Sequence, residues 1–145
     1  MIVKVKRLCP NINTIPKYAS TGAGCFDFVA TETKTIYPKS QEVFKCGVAF
    51  EIPEGMVMLM YGRSGLGFKH GLSLTNCVGV IDSDYRGEVH CALYNHFTTP
   101  FTICAGDRIA QGMIIPVPHV NFETVAELST TERGQNGFGS TGISS

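Results

Sequence analysis

The chain has 145 residues, which is enough for one domain with its own hydrophobic core. Its 12 basic residues balance its 12 acidic residues, and a zero net charge argues against a general nucleic-acid binder, which normally carries a basic excess. No apolar run approaches the roughly 18 residues of a membrane span, so we expect no membrane association. Because the alternating segment 1–6 lacks the apolar core of a signal peptide, we expect a cytoplasmic protein.

Short apolar segments rich in Val, Ile and Phe follow one another through most of the chain, with turn residues between them. The predicted strands are 2–6, 26–30, 42–52, 56–61, 72–75, 78–81, 88–95, 101–103, 108–117 and 120–128. Glycine and proline are spread throughout, so few windows can form a long helix, and the strongest helix candidate is one or two turns at Ser64–Lys69. Many short strands with regular turns predict an all-β sandwich or barrel.

The last segment, 129–145, differs from the rest of the chain in composition. It has no apolar periodicity, and Phe138 is its only aromatic residue. We therefore predict a folded domain over 1–128 followed by a flexible C-terminal arm. Such an arm can fold over a ligand, because Phe138 can stack on a ring while Arg133 and the Gly and Ser amides close on an anion.

The six cysteines form no C-x-x-C pair, and they do not cluster with the four histidines. They are Cys9, Cys25, Cys46, Cys77, Cys91 and Cys104. This spacing argues against a zinc site, and we expect reduced, mostly buried thiols that behave as small hydrophobic residues.

Four of the five arginines have a glycine within two positions. They are Arg63, Arg86, Arg108 and Arg133. A guanidinium offers a two-pronged hydrogen-bond fork, and a neighbouring glycine lets backbone N–H groups approach an oxyanion closely. A single pair of this kind can equally be a turn with a solvated charge, but four together favour a ligand with several negative charges, such as a triphosphate.

Two segments place polar residues directly after apolar strands. The segment 62–67 opens the predicted helical turn, where free N–H groups suit a phosphate, although it lacks the spacing of a Walker loop. The segment 76–87 carries Asp82 at the end of a strand, where we expect a partly desolvated carboxylate that acts as a general base toward water. A turn-capping role for Asp82 remains open, as does the choice between stacking platform and core plug for Tyr85.

Five segments, in order and at normal spacing, resemble the motifs of the trimeric dUTPase family. They are 18–28, 62–66, 76–87, 106–111 and 133–142. Three positions depart from the family pattern: Cys25 and Asn136 stand where glycine is usual, and Gly112 stands where an apolar residue is usual.

The resemblance implies a distorted jelly-roll-like β-barrel that forms a homotrimer with three active sites. Each site is built from all three chains, and the arm reaches onto a neighbouring subunit. The implied reaction is hydrolysis of dUTP to dUMP and pyrophosphate by water attack on the α-phosphorus, with Mg²⁺ on the triphosphate. Such an enzyme lowers dUTP and supplies dUMP for dTMP synthesis.

The resemblance also implies a role for individual residues, with Asp82 as the base that deprotonates the attacking water. Those that bind phosphates are Arg63, Ser64, Gly65, Gln111, Arg133, Gly139, Ser140 and Thr141. Those that bind uracil or deoxyribose are Asn76, Val80, Ile81, Tyr85, His90 and Phe138. Asp27 is expected to hold a water on the magnesium ion, whereas Asp107 and Arg108 are expected to be structural.

Two alternatives remain open at this stage. A dCTP deaminase shares the implied fold, but it carries a catalytic glutamate in the strand after the hairpin, where this chain has Ala92. A non-catalytic trimeric module that binds nucleotide is the second alternative, although such a module has no reason to keep Asp82.

Overall fold

The structure, a computed structural model, describes residues 1–138 and 140. The strands are β1 Lys4–Arg7, β2 Lys17–Tyr18, β3 Phe26–Val29, β4 Lys34–Ile36, β5 Gln41–Lys45, β6 Val48–Glu51, β7 Met56–Gly62, β8 Leu72–Leu74, β9 Val78–Ile81, β10 His90–Asn95, β11 Phe101–Ile103 and β12 Arg108–Pro116. The helix α1 covers Ser64–His70, as predicted, and ends at Gly71 in the left-handed conformation. The predicted all-β class is therefore confirmed.

The strands form antiparallel ladders in a jelly-roll-like arrangement that does not close into a continuous barrel. A five-stranded sheet has the order β2-β3-β12-β7-β9, and a three-stranded sheet has the order β5-β10-β8. Two-stranded ladders, β1-β6 and β4-β11, complete the described sheets. The predicted jelly-roll character is confirmed, and the long strand β12 lies at the centre of the largest sheet.

The core forms because apolar side chains alternate with polar ones along the strands. On β3, Phe26 and Phe28 point inward while Asp27 points toward the outer face. Their rings form edge-on contacts, with centroids 5.5 Å apart. A Cβ atom at Gly112 would lie 2.7 Å from the Phe28 ring and 2.8 Å from the Phe26 ring. The unusual glycine at position 112 is thus explained by the two phenylalanines that occupy its space.

Several predicted strands differ from the observed ones, and β2 and β4 were not predicted. The segment 42–52 is broken between β5 and β6, because Gly47 adopts a φ of 66° in a space closed by Thr14 and Thr31. The last hairpin strand begins at His90 rather than at 88. The predicted strand 120–128 is wrong: the described chain beyond Pro116 forms no strand, and Phe122 is 96% exposed. Apolar composition predicted a strand there, but no strand among the described residues pairs with this segment.

The cysteines are less buried than predicted. Only Cys46 and Cys91 are buried, whereas Cys77 and Cys104 are exposed, and all six are unpaired thiols. Within residues 1–138, none of the helical segments has the length and apolar character to cross a membrane.

Candidate active site

The central strand β12 brings three of the predicted motifs to one place. Gln111 of β12 lies opposite Asp27 of β3 on one side and opposite Tyr61 of β7 on the other. Arg63 follows the end of β7, and Arg108 begins β12. Asp27, Arg63, Arg108 and Gln111 line a cavity of about 370 Å³, together with Ser64, Gly65, Cys25 and the loop before β3. We call this space the phosphate cavity.

Charged side chains brace one another across the phosphate cavity. Asp27 Oδ1 lies 3.0 Å from Arg63 Nε, and Asp27 Oδ2 lies 3.1 Å from Arg108 Nη1. Arg63 Nη1 also donates to the Arg108 carbonyl oxygen at 2.9 Å. Because the Asp27 side chain is only 17% exposed, its carboxylate anchors both guanidinium groups in a partly dry environment. The arrangement fixes two cations before any ligand arrives.

The loop between β7 and α1 completes the phosphate cavity. Gln111 Nε2 donates to the Gly62 carbonyl oxygen at 2.8 Å and so holds the start of the loop. The first helical hydrogen bond runs from Gly67 N to the Arg63 carbonyl oxygen, which leaves the preceding N–H groups without helical partners. A Cβ atom at Gly65 would meet nothing within 4 Å. Free donors, two guanidiniums and open space fit a phosphate group.

A resident metal centre does not fit these residues. Within the described part of the chain, no three His, Cys, Asp or Glu side chains come together as metal ligands. Both oxygens of Asp27 face arginines, so its water-mediated contact to magnesium stays a prediction. Mg²⁺ commonly binds substrate phosphates and keeps several waters, so the cavity suits a metal that arrives on its substrate.

A second region lies between β9 and β10, which diverge into different sheets. Two cavities of about 360 and 250 Å³ meet there at Val80, Ile81 and His90. The larger also contains Asn76, and the smaller also contains Tyr85 together with Asp82. All five residues of the main domain predicted to bind uracil or deoxyribose therefore line one region, which we call the cleft.

Local hydrogen bonds shape the turn at the end of the cleft. Tyr85 donates through its hydroxyl to the Glu88 carbonyl oxygen at 3.0 Å, and its ring covers Gly87, where a Cβ atom would collide with it. Arg86 Nη1 donates to the carbonyl oxygens of Ser83 and Tyr85 at 2.6 and 3.0 Å. These hydrogen bonds fix the backbone of the turn, and Tyr85 lines the cleft rather than filling the core.

Two carboxylates line the cleft, but their surroundings differ. Glu88 Oε1 accepts a hydrogen bond from Gly47 N at 2.9 Å, and Glu88 Oε2 lies 3.9 Å from His90 Nε2. Asp82 is exposed, and within residues 1–138 its carboxylate accepts no hydrogen bond. The expected partial desolvation of Asp82 is therefore wrong for the single chain, because the residue follows the end of β9 and is exposed.

The phosphate cavity and Asp82 lie at opposite ends of one strand pair. Ile81 pairs with Met58, and Val78 pairs with Tyr61. Asp82 is thus level with Val57, while Arg63 lies about six residues further along the β7 direction, or about 20 Å at 3.3 Å per residue. One chain does not bring its own Asp82 and Arg63 together.

The predicted arm residues are placed apart from both regions. Arg133 Nε donates to the Asn136 carbonyl oxygen at 3.0 Å, within the arm, and Phe138 is fully exposed. Ser140 is exposed as well, whereas Gly139 and Thr141 lie outside the described residues. Among the described residues, no lining residue of the phosphate cavity or the cleft comes from the arm.

Two charged lining residues were not predicted as part of the site. Arg108 was expected to be structural, yet it lines the phosphate cavity and pairs with Asp27; its neighbouring glycine was the signal that pointed to this role. Glu88 lines the cleft, and no sequence pattern distinguished it from a solvated charge. For Asp107 the structural expectation agrees with the contacts, since its Oδ2 accepts from Cys104 N at 2.8 Å.

Several known proteins are similar to this chain in sequence or in fold. A deoxyuridine 5'-triphosphate nucleotidohydrolase of Zymomonas mobilis is 44% identical over 142 residues, which cover 97% of each chain. The enzyme of the same name from Nautilia profundicola is also 44% identical, over 98% of this chain and 99% of its own. Among solved structures, the dUTPase of Staphylococcus bacteriophage 80alpha with dUPNHPP superposes with a TM-score of 0.91 at 29% identity, covering 98% of this chain and 99% of its own.

A variant dUTPase of phage phi11 of S. aureus, whose structure concerns the coordination of a structural Mg(II) ion, superposes with a TM-score of 0.81 at 25% identity over 88% of this chain and 98% of its own. The dUTPase family model matches residues 12–142. That range contains the phosphate cavity, the cleft and most of the arm. The chain therefore belongs to the dUTPase family.

Proposed function

We propose that this protein is a dUTP diphosphatase, which hydrolyses dUTP to dUMP and pyrophosphate. The observation that carries the proposal is a pair of preformed regions in a chain of this family. One holds two guanidiniums braced by a carboxylate, and the other is a cleft with a free carboxylate at its edge. The activity lowers dUTP and supplies dUMP for dTMP synthesis.

Asp82 is the proposed general base. Free water has a pKa near 15.7, so a water that attacks the α-phosphorus needs a positioned proton acceptor. Of the two carboxylates that line the cleft, Glu88 is occupied by the Gly47 amide, whereas Asp82 is free to accept from a water. The proton passes to Asp82 as the new P–O bond forms and pyrophosphate leaves.

The triphosphate is proposed to bind in the phosphate cavity. Arg63, Ser64 and Gly65 donate to phosphate oxygens, and Gln111 holds the loop that presents them. Asp27 keeps the guanidiniums oriented, so little reorganisation is needed when the charge arrives. Magnesium bound to the triphosphate would neutralise part of the charge that Arg63 and the loop receive.

The nucleoside is proposed to bind in the cleft. β9 is the edge strand of the five-stranded sheet, so one of its backbone edges has N–H and C=O groups available to read the uracil ring, with Asn76 beside them. Val80, Ile81 and His90 form the shared wall of the two cavities. Tyr85 packs under the deoxyribose and leaves no room for a 2′-hydroxyl.

We infer that the working enzyme is a homotrimer with shared sites. A base must lie within hydrogen-bond reach of the attacking water, and that water must lie beside the phosphates that Arg63 binds. The separation of about 20 Å within one chain exceeds this reach. A site therefore draws Asp82 and Arg63 from different subunits. The arm, 129–145, is proposed to close such a site from a further subunit with Arg133, Phe138 and the Gly139–Thr141 segment.

Incubation of the purified protein with dUTP and magnesium, with dUMP and pyrophosphate measured, tests the activity. We expect both products in equal amounts and no reaction after chelation of the metal. Ammonia release from dCTP would instead support the deaminase, which Ala92 in the cleft disfavours. Binding of dUTP without any product would support the non-catalytic module.

Mixed assemblies test the shared site. Asp82→Asn and Arg63→Ala chains are unfolded together and refolded, and the activity is compared with that of each parent. If the base and the guanidinium come from different subunits, some mixed sites contain both and activity rises well above the parents. A chain with both substitutions, mixed with wild type, is the control. Mixed assemblies that form by mass but stay inactive would contradict the shared site.

A further inference from the structure

A strained turn stands at the mouth of the cleft. The Val78 N–H group donates to the Asn76 carbonyl oxygen at 2.6 Å, two residues back, and Cys77 between them has a φ of 61°. This combination is a γ-turn of the rarer, positive-φ form, which is strained for a residue with a side chain. A further hydrogen bond, from Cys77 N to the Leu74 carbonyl oxygen at 3.1 Å, closes the turn on its other side.

The turn links the two sheets that form the cleft. It joins β8 of the three-stranded sheet to β9 of the five-stranded sheet, so its geometry sets where β9 starts. The Asn76 amide lies over Gly79: a Cβ atom there would be 3.7 Å from Asn76 Nδ2 and 3.1 Å from Met60 Cβ. Any widening of the turn would move the Asn76 side chain away from the cleft.

We propose that Cys77 is a positioning residue for nucleoside recognition. Its left-handed backbone closes the turn that holds Asn76 over Gly79 and starts β9 along the cleft. The thiol itself is exposed, so the backbone conformation that the residue tolerates is what matters, rather than side-chain packing. The inference rests on the proposed function, in which Asn76 contributes to uracil recognition.

Three substitutions distinguish the effect of the backbone conformation at residue 77 from the effect of its thiol. Cys77→Gly and Cys77→Ala remove the thiol, and both tolerate a positive φ better than a β-branched residue does. Cys77→Val strongly opposes a positive φ and should open the turn. We expect Cys77→Val to raise KM for dUTP about tenfold with kcat changed less than about twofold, while the Gly and Ala variants keep the wild-type KM.

The matched control is a valine substitution at another residue with a positive φ. Lys39 has a φ of 56° in the turn before β5, outside the phosphate cavity and the cleft. Lys39→Val should lower the melting temperature without changing KM. If Lys39→Val raises KM as much as Cys77→Val does, the effect is a general loss of stability and the proposal is wrong.

A double-mutant cycle tests whether Cys77 acts through Asn76. In an Asn76→Ala background, Cys77→Val should raise KM much less than tenfold, because the Asn76 amide that the turn positions is gone and only the effect on β9 remains. A full tenfold effect in that background would overturn the proposal.

Hydrogen exchange of the Val78 amide tests the turn without measuring activity: protection should fall in Cys77→Val and persist in Cys77→Ala. If the wild-type protein does not hydrolyse dUTP, the proposed function is wrong. If the Val78 amide is equally protected in Cys77→Val and Cys77→Ala, the proposal that the backbone of residue 77 closes the turn is wrong.

Discussion

The phosphate cavity and the cleft are built by different means. In the phosphate cavity, side chains from β3, β12 and the β7–α1 loop hold one another, and the Asp27 carboxylate binds two arginines at 3.0 and 3.1 Å. In the cleft, backbone turns and hydrogen bonds between near neighbours set the geometry, and Asp82 extends into solvent. One region is braced by long-range ion pairs and the other by local backbone geometry.

In the proposed function, the phosphate cavity binds the triphosphate and Asp82 of the cleft acts as the base, and the two tasks favour different surroundings. Cations that receive a triphosphate gain from being fixed in advance, because their orientation then costs nothing during the reaction. A general base works best in a site from which bulk water is excluded, and in this chain alone Asp82 is exposed. In the proposed shared site, another subunit would supply the second surface, which agrees with the separation of the two regions along β7 and β9.

The largest effect is expected from Asp82→Asn. The amide keeps the shape of the side chain but cannot take a proton, so kcat should fall on the order of 10²–10⁴-fold while dUTP still binds. Steady-state kinetics and calorimetric titration measure the two quantities. Asp84→Asn, in the same exposed turn, is the matched control and should keep near-normal turnover. Equal losses in both variants would remove the assignment of the base to Asp82.

Arg63→Lys tests whether the phosphate cavity depends on the fixed guanidinium fork or on positive charge alone. Lysine keeps the charge but loses the fork that contacts Asp27 and the Arg108 carbonyl oxygen together. We expect KM for dUTP to rise about 10–100-fold, with a smaller change in kcat, from the loss of charge-assisted hydrogen bonds. Lys69→Ala, which removes a cation from the far end of α1, serves as the control. An unchanged KM in Arg63→Lys would show that charge alone suffices.

Tyr85→Ala tests the sugar filter of the cleft. Loss of the ring should relax the rejection of UTP about tenfold, while dTTP stays excluded by the backbone of the cleft. Competition assays with UTP and dTTP against dUTP measure both ratios. Tyr85→Phe keeps the ring but loses the hydrogen bond to the Glu88 carbonyl oxygen, so it should retain the filter and lose about 1 kcal/mol of stability. Unchanged UTP rejection in Tyr85→Ala would place the sugar filter elsewhere.

The smallest effect concerns the core behind the cleft and is seen only at high pH. Burial raises the pKa of the Cys91 thiol from 9.0 to about 12. Above pH 9 the unfolded chain loses this proton while the native protein keeps it. The stability contribution is therefore complete below pH 9 and is lost as the pH rises toward 12.

Denaturant unfolding should show a loss of about 1 kcal/mol from Cys91 between pH 9 and 10. Cys91→Ala should have a shallower pH slope than wild type in this range, even though its stability at pH 7 is lower. Cys104→Ala removes an exposed thiol and should keep the wild-type slope. Parallel slopes for wild type and Cys91→Ala would contradict the assignment.

The sequence alone determined the features that depend on near neighbours. The apolar segment 26–30 predicted the strand β3, and the segment after β7 predicted the short helix α1. Local motif order was also enough to indicate the family. These predictions hold because strand periodicity and helix starts are set by residues within one or two turns of each other.

Tertiary structure decided the features that depend on residues far apart in the chain. The ion pair between Asp27 and Arg108 joins residues 81 positions apart, and it exists because β12 lies beside β3. Segment 120–128 was predicted as a strand, but it has no ladder partner in the part of the chain that the structure describes, and a strand forms only where another segment offers its backbone groups. The surroundings of Asp82 likewise depend on which surface covers it, and local sequence cannot determine that because the covering atoms belong to distant residues or to another chain.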